Sequence, residues 1–208
     1  MLKKTCLHKD HRIVPIISIE GNIAAGKSTL IEMIVRNPAS IVPKNIRTIT
    51  IPEPVESYQR FKYQNVSEEF NPLTLMYQSP SKNAVIAQIH FISVINESVE
   101  HSLNQILTRG SDSSAFLLVT ERSLYSPKMF IQTQKEAGNI NDFTRDRLFY
   151  ETKICAERTI KSKAKYIGTF YIKTPVDCCF ERIKSRHRQG ESLISKSYLN
   201  TLHKLHEK

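Results

Sequence analysis

Residues 21–28 read GNIAAGKS, and this stretch decides the fold. A glycine, four further residues and then Gly-Lys-Ser form the pattern of a P-loop, whose backbone N–H groups and following helix wrap the phosphates of a nucleotide. The predicted phosphate-binding residues are Gly21, Asn22, Ile23, Ala24, Ala25, Gly26, Lys27, Ser28 and Thr29. We therefore predict that the chain binds a nucleoside triphosphate such as ATP, together with Mg²⁺.

Two side chains of the loop have distinct predicted roles. Lys27 is expected to reach the β- and γ-phosphates, and Ser28 is expected to ligate magnesium. The motif leaves the reaction open, because GTPases, ATPases and small-molecule kinases share it. The chain has no NKxD string, which GTPases use to bind guanine, and no long helicase or transporter body. Those two classes are therefore disfavoured.

The sequence around the loop alternates between strand and helix patterns. The β-branched run at 13–19 predicts a buried parallel strand, and Pro38 is expected to close the helix after the loop. Apolar residues that include Ile86, Ile89 and Ile92 predict one long, largely buried helix. The pattern as a whole predicts an α/β fold of the P-loop NTPase type, a parallel sheet between two helix layers. Further strands are predicted at 47–51, 115–120 and 166–172, and further helices at 83–107, 142–163 and 175–186, with a break at 110–114.

The length and net charge of the chain limit its possible domain organisation and partners. The 208 residues fit one domain, which we place at 13–208 after a basic N-terminal extension at 1–12. No apolar run approaches the roughly 20 residues of a membrane span, so a cytoplasmic protein is expected. The formal net charge of +10 suits nucleic acid, a small polyanionic substrate or a solvated basic face, and charge alone does not choose among them.

Two acidic residues directly follow predicted strands. Glu53 lies between two prolines after the second strand, and Glu121 ends the third strand with Arg122 beside it. Ligands of open α/β sheets bind outside the carboxyl ends of the strands. Glu53 is thus placed as a general base, Glu121 near the magnesium, and Arg122 where it offsets phosphoryl charge. Solvated loop acids are the alternative, and for Glu53 both interpretations stay open on this pattern alone.

A cluster of arginines near the C-terminus suggests a lid. We predict that residues 181–191 form a helix that carries Arg182, Arg186 and Arg188, with the first two on one face. Arginine matches phosphate oxygens bidentately, so such a cluster can close over a transferring phosphate. An ordinary solvated helix face is the alternative, which the P-loop makes less attractive.

Several strings together resemble the deoxyribonucleoside kinases, the family of deoxycytidine, deoxyguanosine and mitochondrial-type thymidine kinases and the insect multisubstrate enzyme. They run in family order from residue 19 almost to the end of the chain. The matching strings are IEGNIAAGKST (19–29), PEPVE (52–56), LMYQSP (75–80), Gln88, ERSLYS (121–126), FERIKSRHRQGES (180–192) and YLNTLHKLHE (198–207).

The resemblance implies a role for each matching site residue. Glu53 is implied to be the base toward the substrate 5′-hydroxyl, with Arg122 and Lys27 as the other catalytic residues. Gln88 is implied to read the edge of the base, and Tyr77 with Glu191 to hold the sugar 3′-hydroxyl. Glu121 and Ser28 are implied on the magnesium side, with ATP as donor, and a homodimer is implied. The remaining implied contacts are Tyr58, Phe91 and Pro127 around the substrate and Arg182, Arg186 and Arg188 at ATP.

The chain departs from the family pattern inside the base pocket. Ile95 and Pro127 stand where members selective for deoxycytidine or purines have an Arg and an Asp, which tilts the predicted substrate toward thymidine and a broader pyrimidine set. Ala87 and Ile131 replace aromatic residues, and Tyr58 stands where a Trp is common, so less stacking is expected. The usual fifth strand is expected to be absent, which leaves four.

The leading hypothesis is ATP-dependent 5′-phosphorylation of a deoxyribonucleoside for nucleotide salvage, with membranes and nucleic acid not expected as partners. One alternative is a nucleoside monophosphate kinase such as thymidylate kinase, which would need a cationic group where Glu53 stands. The other is a catalytically inert nucleotide- or nucleic-acid-binding protein, suggested by the short C-terminus and the charge of +10. A compact member of this family would also suit a large DNA virus, in which case the compartment is the host cytoplasm.

Overall fold

The structure is a computed structural model that describes residues 13–38, 42–43, 45–62, 70–108 and 115–208. The predicted N-terminal extension at 1–12 and the break at 110–114 lie outside these residues. The strands are β1 (Val14–Gly21), β2 (Ile46–Ile51), β3 (Ala115–Glu121) and β4 (Ala164–Ile172). The helices are α1 (Lys27–Arg36), α2 (Val55–Tyr58), α3 (Pro72–Gln78), α4 (Pro80–Thr108), α5 (Pro127–Glu136), α6 (Asp142–Ile160), α7 (Val176–Arg186) and α8 (Lys196–His206), with a 3₁₀ turn at Glu191–Leu193.

The four strands form one parallel sheet in the order β2-β3-β1-β4. Its register places Ile16 of β1 beside Leu118 of β3 and Tyr166 of β4. Both central strands are almost wholly buried, which explains their near-continuous apolar sequence. Because all four strands run the same way, the carboxyl ends of β1, β2 and β3 meet at one edge.

Helices cover both faces of the sheet. On one face, Val99 and Leu103 of α4 and Ala156 of α6 pack against β1 and β3. On the other face, Ile31 and Ile34 of α1 pack against the same two strands. The predicted three-layer α/β fold with a parallel sheet is therefore confirmed. Among the described residues, no helix combines the length and apolar character needed to cross a bilayer.

The predicted burial of α4 was wrong in its first turns. Ile86 is 67% exposed and Ile89 is 48% exposed, whereas the apolar pattern predicts that both are buried. At 100° per residue the inward stripe of α4 instead follows Ala84, Gln88, Ile92 and the residues beyond. The apolar residues Ile86 and Ile89 lie on the exposed face of this part of α4, and the polar residue Gln88 lies on the buried face. Apolar character therefore predicts the wrong face here.

The predicted helix at 181–191 was also wrong. Helix α7 ends at Arg186, and His187 adopts a left-handed conformation with φ of 47° that turns the chain. Arg188 therefore lies in the loop that leads to the 3₁₀ turn. Helices α2, α3, α5 and α8 were not predicted, although Asn71 followed by Pro72 is a standard helix start.

Candidate active site

A cleft of about 1110 Å³ opens at the carboxyl edge of the sheet. The loop after β1 forms one side of it, and the ends of β2 and β3 form its floor. Helices α3, α4 and α5 enclose one end, and α7 borders the other. All of the predicted site residues except the loop residues Gly21 and Asn22 line this cleft. The prediction that these distant parts of the sequence meet is consistent with this geometry.

The loop at 21–28 has the backbone conformation that the motif requires. Gly26 has φ of 106°, a left-handed value that strains other residues, and α1 begins directly after it. The Lys27 ammonium donates a hydrogen bond to the Asn22 carbonyl at 2.8 Å, which folds its side chain back across the loop. The Asn22 amide in turn donates to the Leu199 carbonyl at 3.0 Å and ties the loop to α8.

Ser28 and Glu121 meet at the start of α1. The Ser28 hydroxyl donates to Glu121 Oε1 at 3.0 Å, and the Glu53 backbone N–H lies 3.4 Å from Glu121 Oε2. Magnesium in phosphoryl-transfer sites takes one or two protein oxygens and completes its shell with phosphates and water. A hydroxyl and a carboxylate side by side at a phosphate loop fit that ion.

Glu53 and Arg122 form the central ion pair of the cleft. Arg122 Nε donates to Glu53 Oε1 at 2.8 Å, and Nη1 donates to the Gly21 carbonyl at 3.1 Å. The guanidinium is only 3% exposed and lies over the Phe130 ring, 4.7 Å from its centroid. Burial would raise the pKa of Glu53, but the charges of Arg122 and Lys27 outweigh it and lower that pKa. Glu53 is therefore ionised at neutral pH.

The closed end of the cleft holds a buried amide. Gln88 is 1% exposed, and its Nε2 lies 3.6 Å from the Met76 sulfur, a weak acceptor. Its Oε1 has no hydrogen-bond partner among the described residues. Buried polar atoms are nearly always paired, so an unpaired amide oxygen on a residue that lines the cleft points to a ligand. The neighbouring wall consists of the Tyr58 and Phe91 rings, whose centroids are 4.8 Å apart.

Tyr77 lies between this end and Glu191. It packs edge-on against Tyr198, with centroids 6.1 Å apart. Burial, followed by Tyr198 and Glu191, raises its pKa well above the ordinary value, so its hydroxyl stays protonated. Glu191 is 4% exposed, and both of its carboxylate oxygens already accept hydrogen bonds from Arg186. A hydroxyl that binds Glu191 would therefore share these oxygens with the arginine.

The three predicted phosphate arginines divide into two groups. Arg186 binds Glu191 through two hydrogen bonds of 2.6 Å, and Arg188 Nη1 adds a third at 3.2 Å. Arg182 instead donates to the Ala24 and Ala25 carbonyls of the phosphate loop, at 3.2 and 3.3 Å. One arginine thus contacts the loop, and the other two share the single negative charge of Glu191.

The loop that follows α7 and carries Arg188 lies close against α3. Gly190 has φ of 82°, and a Cβ at that position would lie 2.7 Å from Thr74 Oγ1. A side chain there would have to displace the Thr74 hydroxyl and adopt a positive φ, which favours glycine.

Several residues at the site were missed from the sequence. Met76 and Phe130 line the cleft, and Tyr198 backs Tyr77. Their apolar or aromatic character is equally typical of a core, so nothing in the pattern marked them. Glu20 was also missed, although it is an acid at the carboxyl end of β1 as Glu121 is on β3, and that parallel could have found it.

Comparison with known proteins gives consistent similarities. The sequence model of a family described as deoxynucleoside kinase matches residues 17–208. A probable deoxycytidine kinase of fowlpox virus (strain NVSL) is 31% identical over 193 residues, which cover 92% of this chain and 70% of that protein. Deoxycytidine kinase 2 of Gallus gallus is 29% identical over 201 residues, 92% of this chain and 72% of that protein. Mitochondrial thymidine kinase 2 of Homo sapiens is 28% identical over 195 residues, 92% of this chain and 63% of that protein.

Proposed function

Because the chain belongs to the deoxynucleoside kinase family, we propose that it transfers the γ-phosphate of ATP to the 5′-hydroxyl of a pyrimidine deoxyribonucleoside, with thymidine and deoxycytidine as its substrates. Membership of the family supports the phosphorylation of a deoxynucleoside. Which base the substrate carries is the finer part of the proposal. This finer part rests on the apolar lining at Ile95 and Pro127 together with the unpaired, buried Oε1 of Gln88, because an amide alone can also pair with a purine.

The Gln88 amide suits a pyrimidine edge. An amide offers one acceptor oxygen and an NH₂ donor side by side. Thymine presents N3–H and O4, and cytosine presents N3 and an amino group, so either base pairs with the amide in one of its two orientations. Ile95 and Pro127, which also line the cleft, are apolar and add no charged contact for a purine. These features support pyrimidines, and they leave both pyrimidines acceptable.

Transfer is proposed to proceed in line from the triphosphate on the loop to the hydroxyl beside Glu53. The loop amides and the Lys27 ammonium hold the β- and γ-phosphates, and Arg122 neutralises charge near the attacking oxygen. Ser28 and Glu121 would hold Mg²⁺, which when bound offsets the phosphate charge. Most of the rate enhancement then comes from positioning and electrostatics.

Glu53 is proposed to accept the proton of the 5′-hydroxyl. A carboxylate with a lowered pKa is a weak base, but the transition state of phosphoryl transfer is loose and the hydroxyl proton leaves late. A weak base that is ionised before the reaction is sufficient under those conditions. Its contact with Arg122 at 2.8 Å keeps the carboxylate at the edge of the loop.

A substrate panel tests the proposal. The purified protein is incubated with γ-labelled ATP, Mg²⁺ and each of the four deoxynucleosides, and also with thymidine monophosphate. We expect label in thymidine and deoxycytidine monophosphates, with purines at least about tenfold slower, a step of about 1.4 kcal/mol. Turnover of thymidine monophosphate alone would establish the monophosphate kinase alternative instead. Binding of ATP without transfer to any acceptor would support the inert binder.

We expect that the Lys27 amine takes up a proton when ATP binds in mildly alkaline solution. Burial, followed by Arg122, lowers the pKa of Lys27 to about 8, although Glu53, Glu121 and Glu20 oppose this. The free protein therefore loses this proton as pH rises through about 8. A bound triphosphate favours the ammonium form and raises the pKa again, so protons are taken up above that pH.

Isothermal titration calorimetry with ATP at pH 8.5, in buffers of different ionisation enthalpy, measures this uptake. Since kcat/KM reports the free enzyme and kcat the complex, kcat/KM for ATP should fall at lower pH than kcat. Lys27→Arg is the matched control, because arginine keeps its proton at this pH and should bind ATP without uptake. A binding enthalpy independent of buffer in the unaltered protein would contradict the prediction.

We also propose that the protein is a homodimer that packs the outer face of α4 against its copy. Ile86 and Ile89 on that face, with Phe143 and Tyr150 on α6, are exposed apolar side chains. Light scattering during gel filtration should give about twice the chain mass of 23.9 kDa. Replacing Ile86 and Ile89 with Ser should lower the measured mass, and a monomer at every concentration of the unaltered protein would refute the proposal.

A further inference from the structure

We propose that Glu20 is a positioning residue, which holds the turn at 122–126 so that the Arg122 guanidinium stays beside Glu53. This inference rests on the proposed function, because it assigns Glu20 to the same phosphoryl-transfer site. Glu20 Oε1 accepts a hydrogen bond from the Ser123 backbone N–H at 2.7 Å and from the Ser126 hydroxyl at 2.6 Å. Both contacts act on the turn directly after Arg122.

The backbone at Arg122 needs such support. Its φ of 70° lies in the left-handed region, which is unfavourable for a residue with a side chain. Strained residues of this kind persist only where the surrounding contacts over-determine them. Arg122 itself contributes a hydrogen bond from its backbone N–H to the Ile19 carbonyl at 2.9 Å. The residue after it is held by Glu20.

Every backbone N–H of the turn has a partner. Beyond the two already described, the N–H groups of Leu124, Tyr125 and Ser126 bond to the Tyr166 hydroxyl, the Ser123 hydroxyl and the Ser123 carbonyl. Only one of these partners is a carboxylate, and hydrogen bonds to ionised acceptors are about twice as strong as neutral ones. Glu20 is therefore the strongest single restraint on the turn that comes from another element.

Ser126 gives independent support. It occupies the N-cap position of α5, where a serine hydroxyl ordinarily accepts a hydrogen bond from the helix backbone. Here the side chain does not cap the helix: its hydroxyl donates to Glu20, and its oxygen lies 2.9 Å from the Ser123 backbone N, whose N–H is shared between Ser126 and Glu20. The same contact places the start of α5, which carries Pro127 and Phe130 into the cleft. Glu20 thereby aligns both the arginine and the ring on which its guanidinium lies.

The test compares Glu20→Ala, Glu20→Gln and the control Glu97→Ala, an exposed acid on α4 outside the cleft. A misplacement of about 1 Å at a reacting group can cost on the order of 100-fold, so Glu20→Ala should lower kcat by about 10- to 100-fold. KM for ATP should change by less than about twofold, because the loop contacts of the triphosphate stay in place. Glu20→Gln keeps an acceptor oxygen and should recover kcat to within about threefold of the unaltered protein.

A double-mutant cycle with Arg122→Ala separates positioning from a general structural role. If Glu20 acts through Arg122, then Glu20→Ala should change kcat by less than about twofold when Arg122 is already absent. An equal loss with and without Arg122 would overturn the inference, as would full activity of Glu20→Ala. Thermal melting of every variant confirms that the assays are made on folded protein.

A measurement that needs no catalysis can test the role of Glu20 separately from the proposed function. In the unaltered protein the Arg122 Nε–H, bonded to Glu53, should give a slowly exchanging NMR signal. Glu20→Ala should accelerate its exchange by at least about tenfold, since about 1.4 kcal/mol less protection corresponds to that factor. If no deoxynucleoside is phosphorylated, the proposed function fails and this signal still decides the role of Glu20. Unchanged exchange would reject the positioning role even in an active enzyme.

Discussion

Glu53→Gln is expected to lower kcat for deoxynucleoside phosphorylation by about 10³-fold, within the range found for loss of a general base. Glutamine has nearly the same shape and keeps an oxygen to accept from Arg122 Nε, so the ion pair becomes a hydrogen bond and the cleft keeps its form. What disappears is the acceptor for the 5′-hydroxyl proton. Binding of ATP should persist, because the loop does not depend on this carboxylate.

Single-turnover measurement with saturating thymidine and ATP checks the chemical step directly. The matched control is Glu32→Gln, an exposed acid on α1 that forms a surface ion pair with Arg36 at 3.8 Å. It should leave kcat within about twofold, since exposed pairs contribute little. A Glu53→Gln protein that retains a third or more of its activity would exclude Glu53 as the base.

Gln88→Leu should lower kcat/KM for thymidine and deoxycytidine by about two orders of magnitude, mainly through KM. A buried base would lose both amide hydrogen bonds and keep unpaired polar atoms, a cost of about 1–3 kcal/mol for each group. The protein itself should be no less stable, because leucine fills a similar volume and removes an unpaired buried oxygen. KM for ATP should remain within about twofold, since Gln88 lies at the opposite end of the cleft.

Steady-state kinetics with both nucleosides and with ATP separates these parameters. Gln105→Leu, an exposed position on the same helix, controls for the effect of the substitution on α4. Equal affinity for thymidine in the Gln88→Leu protein would show that the base is read elsewhere. The proposal of phosphoryl transfer would survive that result, whereas the pyrimidine assignment would not.

The parts of the fold that the sequence predicted are those with strong local causes. Continuous β-branched runs can be buried only as central strands, and a loop of the form GNIAAGKS requires a strand before it and a helix after it. The acids Glu53 and Glu121 then followed from the rule that parallel strands end at a common edge. Glu53 and Glu121 lie close together because β2 and β3 are parallel neighbours, so their proximity follows from the topology alone.

The errors have physical reasons as well. The left-handed turn at His187 has no sequence mark, so an arginine-rich stretch was extended into one helix. The pairing of Glu191 with Arg186 and Arg188 depends on that turn and could not be foreseen without it. Glu20 was not predicted, although it lies near the end of a strand as Glu121 does, because its contacts with the Ser123 backbone and the Ser126 hydroxyl have no sequence signature. The base pocket was predicted only from the family resemblance, and it stays a prediction.

The close approach of Gly190 to Thr74 has a bearing on laboratory evolution of this protein. Random libraries that replace Gly190 with larger residues would yield mostly destabilised variants, because both the positive φ and the short distance to the Thr74 hydroxyl disfavour a side chain. Where this loop meets α3, substitutions are therefore better made on α3 than at Gly190. Selections for unnatural nucleosides should keep codon 190 constant and vary the neighbours of Thr74, so that screening effort falls on variants that can still fold.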